Sequence, residues 1–277
     1  MDEAASLSVD VVAARDRLID AAREAGAIAL DYFRQGARTS ARIDYKEGGS
    51  PVTEADLAVN AFLAARLSEA FAGAGWLSEE TEDDSDRLTR SSVLIVDPID
   101  GTRAFVAGDP RWAVAIALVV GARPVAAVVH APALAETYSA ARGLGSALNG
   151  APIAVSHRNS LTGARIGGPK AMVESIARAA GVSFVTQPKI PSLAYRIALV
   201  ASGALDLALA SEESHDWDIA AADLILEEAG GRLVEAFDEP LRYNGAETRR
   251  GVLFGASAGM IGKFLAAGRL ATGKPLA

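Results

Sequence analysis

The chain has 277 residues, half of them hydrophobic, which is enough to bury a sizeable core as one large domain or two packed halves. A formal net charge of −8 argues against a nucleic-acid footprint, which is built from clustered Lys and Arg, although an acidic protein can still hold phosphate through a metal. The absence of cysteine excludes disulfides and thiolate metal sites. Met1, Asp2 and Glu3 lack the basic and apolar regions of a signal peptide, and no apolar run approaches the roughly 18 residues of a membrane span, so a soluble cytoplasmic protein is expected.

Val12, Ala13, Leu18, Ile19, Ala22, Ala25, Ile28, Ala29, Tyr32 and Phe33 recur at helical spacing and predict a long amphipathic helix from about Val9 to Phe33, with Gly36 as its stop. Thr53 opens a second helix that carries Leu57, Val59, Phe62, Leu63 and Leu67 and ends at Gly73 and Gly75. Asp56, three residues on, fits a capping box in which it accepts the Thr53 amide. Glu82, Asp83, Asp84 and Asp86 read as an exposed acidic loop. From Trp76 to Val155 the pattern turns to short β-like runs: Val93 to Val96, Ala113 to Val120, Val125 to Val129, Thr137 to Ala140 and Ile153 to Val155. Gly121, Pro124, Pro132, Gly143, Gly145, Asn149 and Gly150 separate them, which predicts an antiparallel sheet with helices on one face.

After Ser156, strands near Arg165, Val182 to Val185, Leu205 to Ala210, Arg232 to Val234 and Val252 to Phe254 alternate with helices. The helices are expected at Ala171 to Ala180, Ser192 to Ser202, Ile219 to Glu228 and Met260 to Leu270, an α/β rhythm. The chain is therefore α/β in class, with an α+β half over residues 1–156 and an α/β half over 157–277. The boundary falls around His157 to Gly167, with no internal repeat or low-complexity linker.

The segment Val96, Asp97, Pro98, Ile99, Asp100, Gly101, Thr102 follows the apolar run Val93, Leu94, Ile95. A strand ending in this turn presents Asp97 and Asp100 at its carboxyl end. The Ile99 carbonyl can also point outward there, and the amides of Gly101 and Thr102 open the next segment. Carboxylates and a carbonyl make a hard-cation site, and free amides at a helix start bind phosphate, so the chemistry suggested is metal-assisted attack on a phosphate ester. Asp and Pro are also ordinary turn residues, and both carboxylates can serve only to shape the chain. Three more stretches supply acids: Ser50 to Asp56, Leu77 to Glu80, and His215 to Asp218 at the start of a helix. Each has a plain alternative as well, a cap for Asp56 and Asp218 and a solvated surface acid for Glu79 and Glu80. His130, His157 and His215 share no metal-ligand spacing.

The order SPVTEAD, LSEE, VDPIDGT, LNGAPIAVS and WDIAAADLILEEAGG resembles the inositol monophosphatase superfamily of magnesium-dependent, lithium-sensitive phosphatases over nearly the whole chain. The resemblance implies a layered αβαβα sandwich, a homodimer and two to three magnesium ions, with manganese as an alternative. It implies that Glu79, Asp97, Asp100, Asp218 and the Ile99 carbonyl hold the ions. Glu79, Thr102 and Asp56 would be catalytic: Thr102, oriented by Asp56, and Glu79 would position and activate the attacking water. Gly101 and Thr102 would cradle the phosphate, and Ser192, Ser211 and Asp218 would touch the substrate. A carboxylate-rich, histidine-poor site suits this reaction, because enzymes must accelerate phosphate monoester hydrolysis by up to about 10²¹ and paired ions stabilise both attacking and leaving oxygens.

The superfamily contains several phosphatases, so the fold leaves the substrate open. Inositol monophosphate is the first expectation, then 3′-phosphoadenosine 5′-phosphate, then histidinol phosphate; the rival from another class is a non-catalytic phospholigand-binding member. In inositol enzymes an acid precedes the WD motif where this chain has Ser211, followed by Glu212 and Glu213. A substrate with a second phosphate would want Lys170, Lys189 or Arg196 at the site; with none there, a neutral polyol is favoured. No nucleic-acid or membrane partner is expected.

Overall fold

A computed structural model describes residues 9–235 and 240–272, so Met1 to Glu3 lie outside the described residues. Helix α1 (Val11–Tyr32) starts at Asp10, whose carboxylate accepts from the amides of Val12 and Ala13. Strands β1 (Ile43–Tyr45) and β2 (Pro51–Thr53) form a small hairpin leading into α2 (Glu54–Ala70). Next come β3 (Gly75–Ser78), β4 (Ser92–Asp100), the short α3 (Thr102–Ala107), β5 (Ala113–Val120), β6 (Arg123–Ala131), β7 (Glu136–Ala141), β8 (Ser146–Leu148) and β9 (Ala151–Ile153). The chain then runs through β10 (Ala164–Gly167), α4 (Lys170–Ala180), β11 (Phe184–Thr186), α5 (Leu193–Ala201) and β12 (Leu207–Ala210). It ends in α6 (Asp216–Glu228), β13 (Gly231–Val234), β14 (Leu253–Ser257) and α7 (Ile261–Thr272).

These elements stack in five layers, α on β on α on β on α. The first layer is α1 with α2, packed on a seven-stranded sheet of order β3-β4-β5-β6-β7-β8-β9. The central layer is α5 with α6. The fourth is a five-stranded sheet of order β11-β10-β12-β14-β13, and α4 with α7 covers its outer side. In the larger sheet only β3 and β4 run parallel. In the smaller one β10 is parallel to both β11 and β12, while β14 is antiparallel to its neighbours.

The expected helices on one face of the larger sheet are corrected to helices on both. Leu94 and Val96 of β4 and Val114, Ile116 and Leu118 of β5 face the α1 and α2 layer. The alternate residues Val93, Ile95, Ala113, Ala115 and Ala117 join the core made with α5 and α6. A strand buried on two sides loses the polar alternation of a half-solvated strand, and the unbroken apolar run from Ala113 to Val120 is that signature. The hairpin of β1 and β2, strand β8 and helix α3 were not expected from the sequence, and β9 lies two residues before the expected run. These are three- to six-residue elements, too short to show a periodicity. Among the described residues no helix is long and apolar enough to cross a membrane.

Candidate active site

The site begins where β4 loses its regular ladder. The pairing with β5 shifts between Asp97 and Asp100, around Pro98, which has no amide hydrogen to donate. Asp97 Oδ1 accepts from the Ile99 amide at 3.0 Å, so this carboxylate does shape the turn as well as point from it. Gly101 adopts φ +93°, and a Cβ there would approach the Ser192 backbone nitrogen at 3.2 Å; glycine admits both the left-handed turn and the close crossing of α5. Asp100 is seated on the start of α5. Its Oδ2 accepts from Ser192 Oγ and from the Ala194 amide, both at 2.6 Å, and its Oδ1 from the Leu193 amide at 3.2 Å. The positive end of α5 thereby holds a carboxylate contributed by β4.

Asp218 is the third residue of α6, and its Oδ2 accepts from the His215 amide at 2.5 Å, closing the helix start. Asp97, Asp100 and Asp218 each offer an oxygen within 4.8 Å of the others. Burial pushes all three carboxyls up. Asp97 is driven well above the ordinary range by burial and then by the charges of Glu79, Asp100, Asp218 and Asp56. Asp218 is driven up by burial and then Asp100. Asp100 is pushed up to about 6 by burial, against the bonds from Ser192, Ala194 and Leu193 that favour its charge. None of the three accepts a hydrogen bond from a Lys or Arg among the described residues. Three converging carboxylates without a basic contact, Asp97 and Asp100 buried and Asp218 half-buried, fit a hard divalent cation, which supplies the charge their placement requires.

Asp56 serves its two expected roles with different oxygens. Oδ2 accepts from the Thr53 amide at 2.8 Å and the Thr53 hydroxyl at 2.5 Å, completing the capping box of α2. Oδ1 faces Thr102 Oγ1 at 3.2 Å. Thr102 Oγ1 also lies 3.1 Å from the Ile99 carbonyl oxygen, and that oxygen keeps a second lone pair for a cation. Burial pushes the Asp56 carboxyl up to about 6.

Glu79 follows β3, close enough for its charge to raise Asp97, Asp218 and Asp56, but its Oε1 binds Lys46 Nζ at 2.9 Å. Lys46 also reaches Glu80 Oε1 at 2.7 Å. Sequence reasoning missed Lys46. The one available signal was the Gly48–Gly49 pair, both at positive φ, which folds the hairpin back so that residue 46 meets residues 79 and 80.

The expected substrate contacts Ser192 and Ser211 differ in setting. Ser192 is fully buried; its hydroxyl donates to Asp100 and accepts from the Tyr195 amide, so it lies behind the carboxylate rather than on the substrate side. Ser211 is exposed in the loop between β12 and α6 with no hydrogen bond among the described residues, while Glu213 beside it pairs with Arg249 at 2.6 Å. We expect Ser192→Ala to cost about 1 kcal/mol as a lost helix cap and to lower kcat/KM by roughly 10- to 100-fold, the scale for a hydrogen bond that orients a metal ligand. Melting curves and magnesium titrations of activity check this, and an unchanged magnesium requirement would refute the positioning role.

The fold and this carboxylate site are those of metal-dependent phosphatases built as a five-layer sandwich. The family model described as the inositol monophosphatase family matches residues 12–267, and the chain belongs to that family. It is 34% identical to "Inositol monophosphatase 2" of Solanum lycopersicum, over 79% of this chain and 88% of that protein. It is 31% identical to "3'(2'),5'-bisphosphate nucleotidase CysQ" of Aggregatibacter actinomycetemcomitans, over 83% and 87%. Identity reaches 37% with "Histidinol-phosphatase" of Mycobacterium tuberculosis, over 69% and 76%. Among solved structures, the extragenic suppressor protein suhB from Bartonella henselae superposes with a TM-score of 0.79 at 26% identity, covering 93% of this chain and 98% of that one. The protein is thus a phosphoric monoester hydrolase by family, and its relatives divide among three substrates.

Proposed function

We propose that the protein is a magnesium-dependent phosphomonoesterase that transfers the phosphoryl group of a small metabolite to water. The observation that carries this reading is the convergence of Asp97, Asp100 and Asp218 within 4.8 Å, the first two buried and the third half-buried, without a hydrogen bond from Lys or Arg among the described residues. With Glu79 and the Ile99 carbonyl, these residues would hold two to three magnesium ions, with manganese as an alternative. Bound ions would lower the pKa of water and stabilise charge on the phosphoryl and leaving oxygens. The chain's own part is orientation. Thr102 Oγ1, held between Asp56 Oδ1 and the Ile99 carbonyl, would direct a water with its free lone pair, and Glu79 would take the water's proton. The amides of Gly101 and Thr102, at a helix start with no side-chain cap, would receive phosphate oxygens.

Inositol monophosphate is the substrate that the LNGAPIAVS and HDWDIAAADLI stretches favour, in keeping with the first relative described above. A cytoplasmic homodimer is the setting we propose. The test is phosphate release at fixed magnesium from inositol 1-phosphate, 3′-phosphoadenosine 5′-phosphate, histidinol phosphate and fructose 1,6-bisphosphate, each with a chelator control. Release is expected only with the metal. Thr102→Ala is expected to lower kcat about 10²-fold while magnesium still raises the melting temperature, as befits loss of one group that orients a reactant. Metal-independent release, or none from any substrate, would count against the reading; in the second case the non-catalytic phospholigand-binding role takes its place.

A further inference from the structure

The clustered carboxylates come from two halves of the chain, Asp97 and Asp100 from β4 and Asp218 from α6. Magnesium demands near-ideal octahedral geometry with oxygens at about 2.0 to 2.1 Å, so the start of α6 must be held in place against the end of β4. The segment 240–250 grips that helix start. Its Asn244 amide donates to Asp216 Oδ2 at 3.2 Å, and Arg250 donates to Asp216 Oδ1 from Nε at 2.8 Å and also from Nη2. The Arg250 amide donates to the Ser214 carbonyl at 2.7 Å, and the Asp216 amide to the Thr248 carbonyl at 2.9 Å. Asp216 is fully buried, and Asp218 follows it two residues later. This strap and the first turn of α6 are therefore one hydrogen-bonded piece.

Arg87 ties that piece to the other half. It stands in a short 3₁₀ turn (Ser85–Thr89) of the crossover that leaves β3 at Glu79 and enters β4 at Ser92. A Cβ on Gly75 would lie 2.9 Å from Arg87 Cβ, so glycine at the start of β3 admits the turn. Nε and Nη2 fork onto Asp83 at 2.6 and 2.7 Å, while Nη1 donates to Asn244 Oδ1 at 2.8 Å and to the Gly245 carbonyl at 3.0 Å. Asn244 Nδ2 donates back to the Arg87 carbonyl at 3.2 Å. The pair with Asp83 is local and Asp83 is 44% exposed, yet the Arg87 side chain is only 1% exposed, a desolvation that a surface pair does not require. Asn244 sits at φ +60°, a left-handed turn that Asn tolerates, and sends its side chain to Arg87 and its amide to Asp216. The strap's other ties run from the Tyr243 amide to the Ala122 carbonyl at 3.0 Å and from Arg123 Nη1 to the Leu241 carbonyl at 3.3 Å. They lie at the β5–β6 turn, beside the start of β4 and away from its carboxylates.

Resting on the metal reading above, we infer that Arg87 is a positioning residue for the metal site: by clasping Asn244 it fixes the start of α6, and with it Asp218, against the carboxylates of β4. The test is calorimetric titration of magnesium into the metal-free protein, with melting temperatures in chelator measured beside it. Asn244→Gly removes the side-chain clasp but keeps the left-handed turn and the amide that donates to Asp216. Arg87→Lys keeps the charge and loses the fork. Each should weaken magnesium binding about fivefold, within the scale of coupling through contiguous packed and hydrogen-bonded contacts. At saturating magnesium kcat should return close to the native value, because neither variant removes a group that touches the reactants. Val173→Ala, in the core under α4, is the structural control: it lowers the melting temperature without touching the strap and should bind magnesium as the native chain does. Magnesium affinity within twofold of native in either clasp variant, or an equal loss in Val173→Ala, overturns the inference. Failure of the metal reading shows separately, as neither binding heat nor a melting shift with magnesium in the native chain.

Discussion

Asp97→Asn is expected to lower kcat/KM for phosphate release by roughly 10³-fold or more, the scale of removing a principal electrostatic contact to the reacting group, and at the same time to raise the melting temperature of the metal-free protein. Both effects come from one fact of placement. The Asp97 carboxylate is buried among Glu79, Asp100, Asp218 and Asp56, and its only hydrogen bond among the described residues is the Ile99 amide. Without a cation, this arrangement keeps like charges together out of water, and the neutral amide relieves it. With a cation, the same charge is what binds. An ion that binds only the folded chain stabilises it by about 2.7 kcal/mol at a concentration of 100 Kd, or roughly 5 to 10 °C for a chain of this size. The native protein should show that shift between chelator and saturating magnesium, and Asp97→Asn should show little of it. Differential scanning calorimetry with phosphate assays reads both. A variant that kept its turnover, or shifted with magnesium as the native chain does, would remove Asp97 from the ligand set.

Asp223→Asn should stabilise the protein at pH 8 and leave it nearly unchanged at pH 4. Asp223 lies on α6, buried, with the Tyr243 hydroxyl donating to its Oδ2 at 2.8 Å. Burial pushes its carboxyl up to about 7, with Glu227 adding to the rise and the Tyr243 bond, Arg123 and Arg142 opposing it. The unfolded chain releases this proton near 3.8, so between those values the folded state binds the proton more tightly. The unfolding free energy therefore falls as pH rises through this window, and above about 7 the full cost of the buried charge stands. The two values bound that cost at about 4 kcal/mol. Asparagine keeps the oxygen that accepts from Tyr243, and the adjoining cavity of about 80 Å³ leaves room for a water beside its amide. Melting temperatures from pH 4 to 8.5 should diverge, with the variant several degrees higher at the alkaline end. Parallel curves would mean that Asp223 is not the titrating group.

The acids of the candidate site were legible because each sits where a local rule puts it. Thr53 and Asp56 follow the capping spacing, Asp97 and Asp100 the strand end, and Asp218 the first turn of α6. The partners of those acids were not. Lys46 reaches Glu79 across 33 residues and Ser192 reaches Asp100 across 92, distances over which no periodicity carries information. Asp56 illustrates the limit well. From sequence, capping and orientation of Thr102 competed for one carboxylate, and only the approach of α3 to α2 gives each oxygen its own partner.

By itself, the sequence determined the helices α1, α2 and α4 to α7, the long strands of the larger sheet and the order of four acidic motifs, because these depend on neighbours three, four or two residues away. Tertiary structure alone decided that the larger sheet is covered on both faces, that α5 and α6 form the layer shared by the two sheets, and that Asp97, Asp100 and Asp218 converge. It also decided that Lys170, Lys189 and Arg196 line one cavity and that Arg87 meets Asn244 across 157 residues. Those outcomes rest on burial of apolar faces from both halves of the chain against one another, a constraint that exists only once the layers have packed.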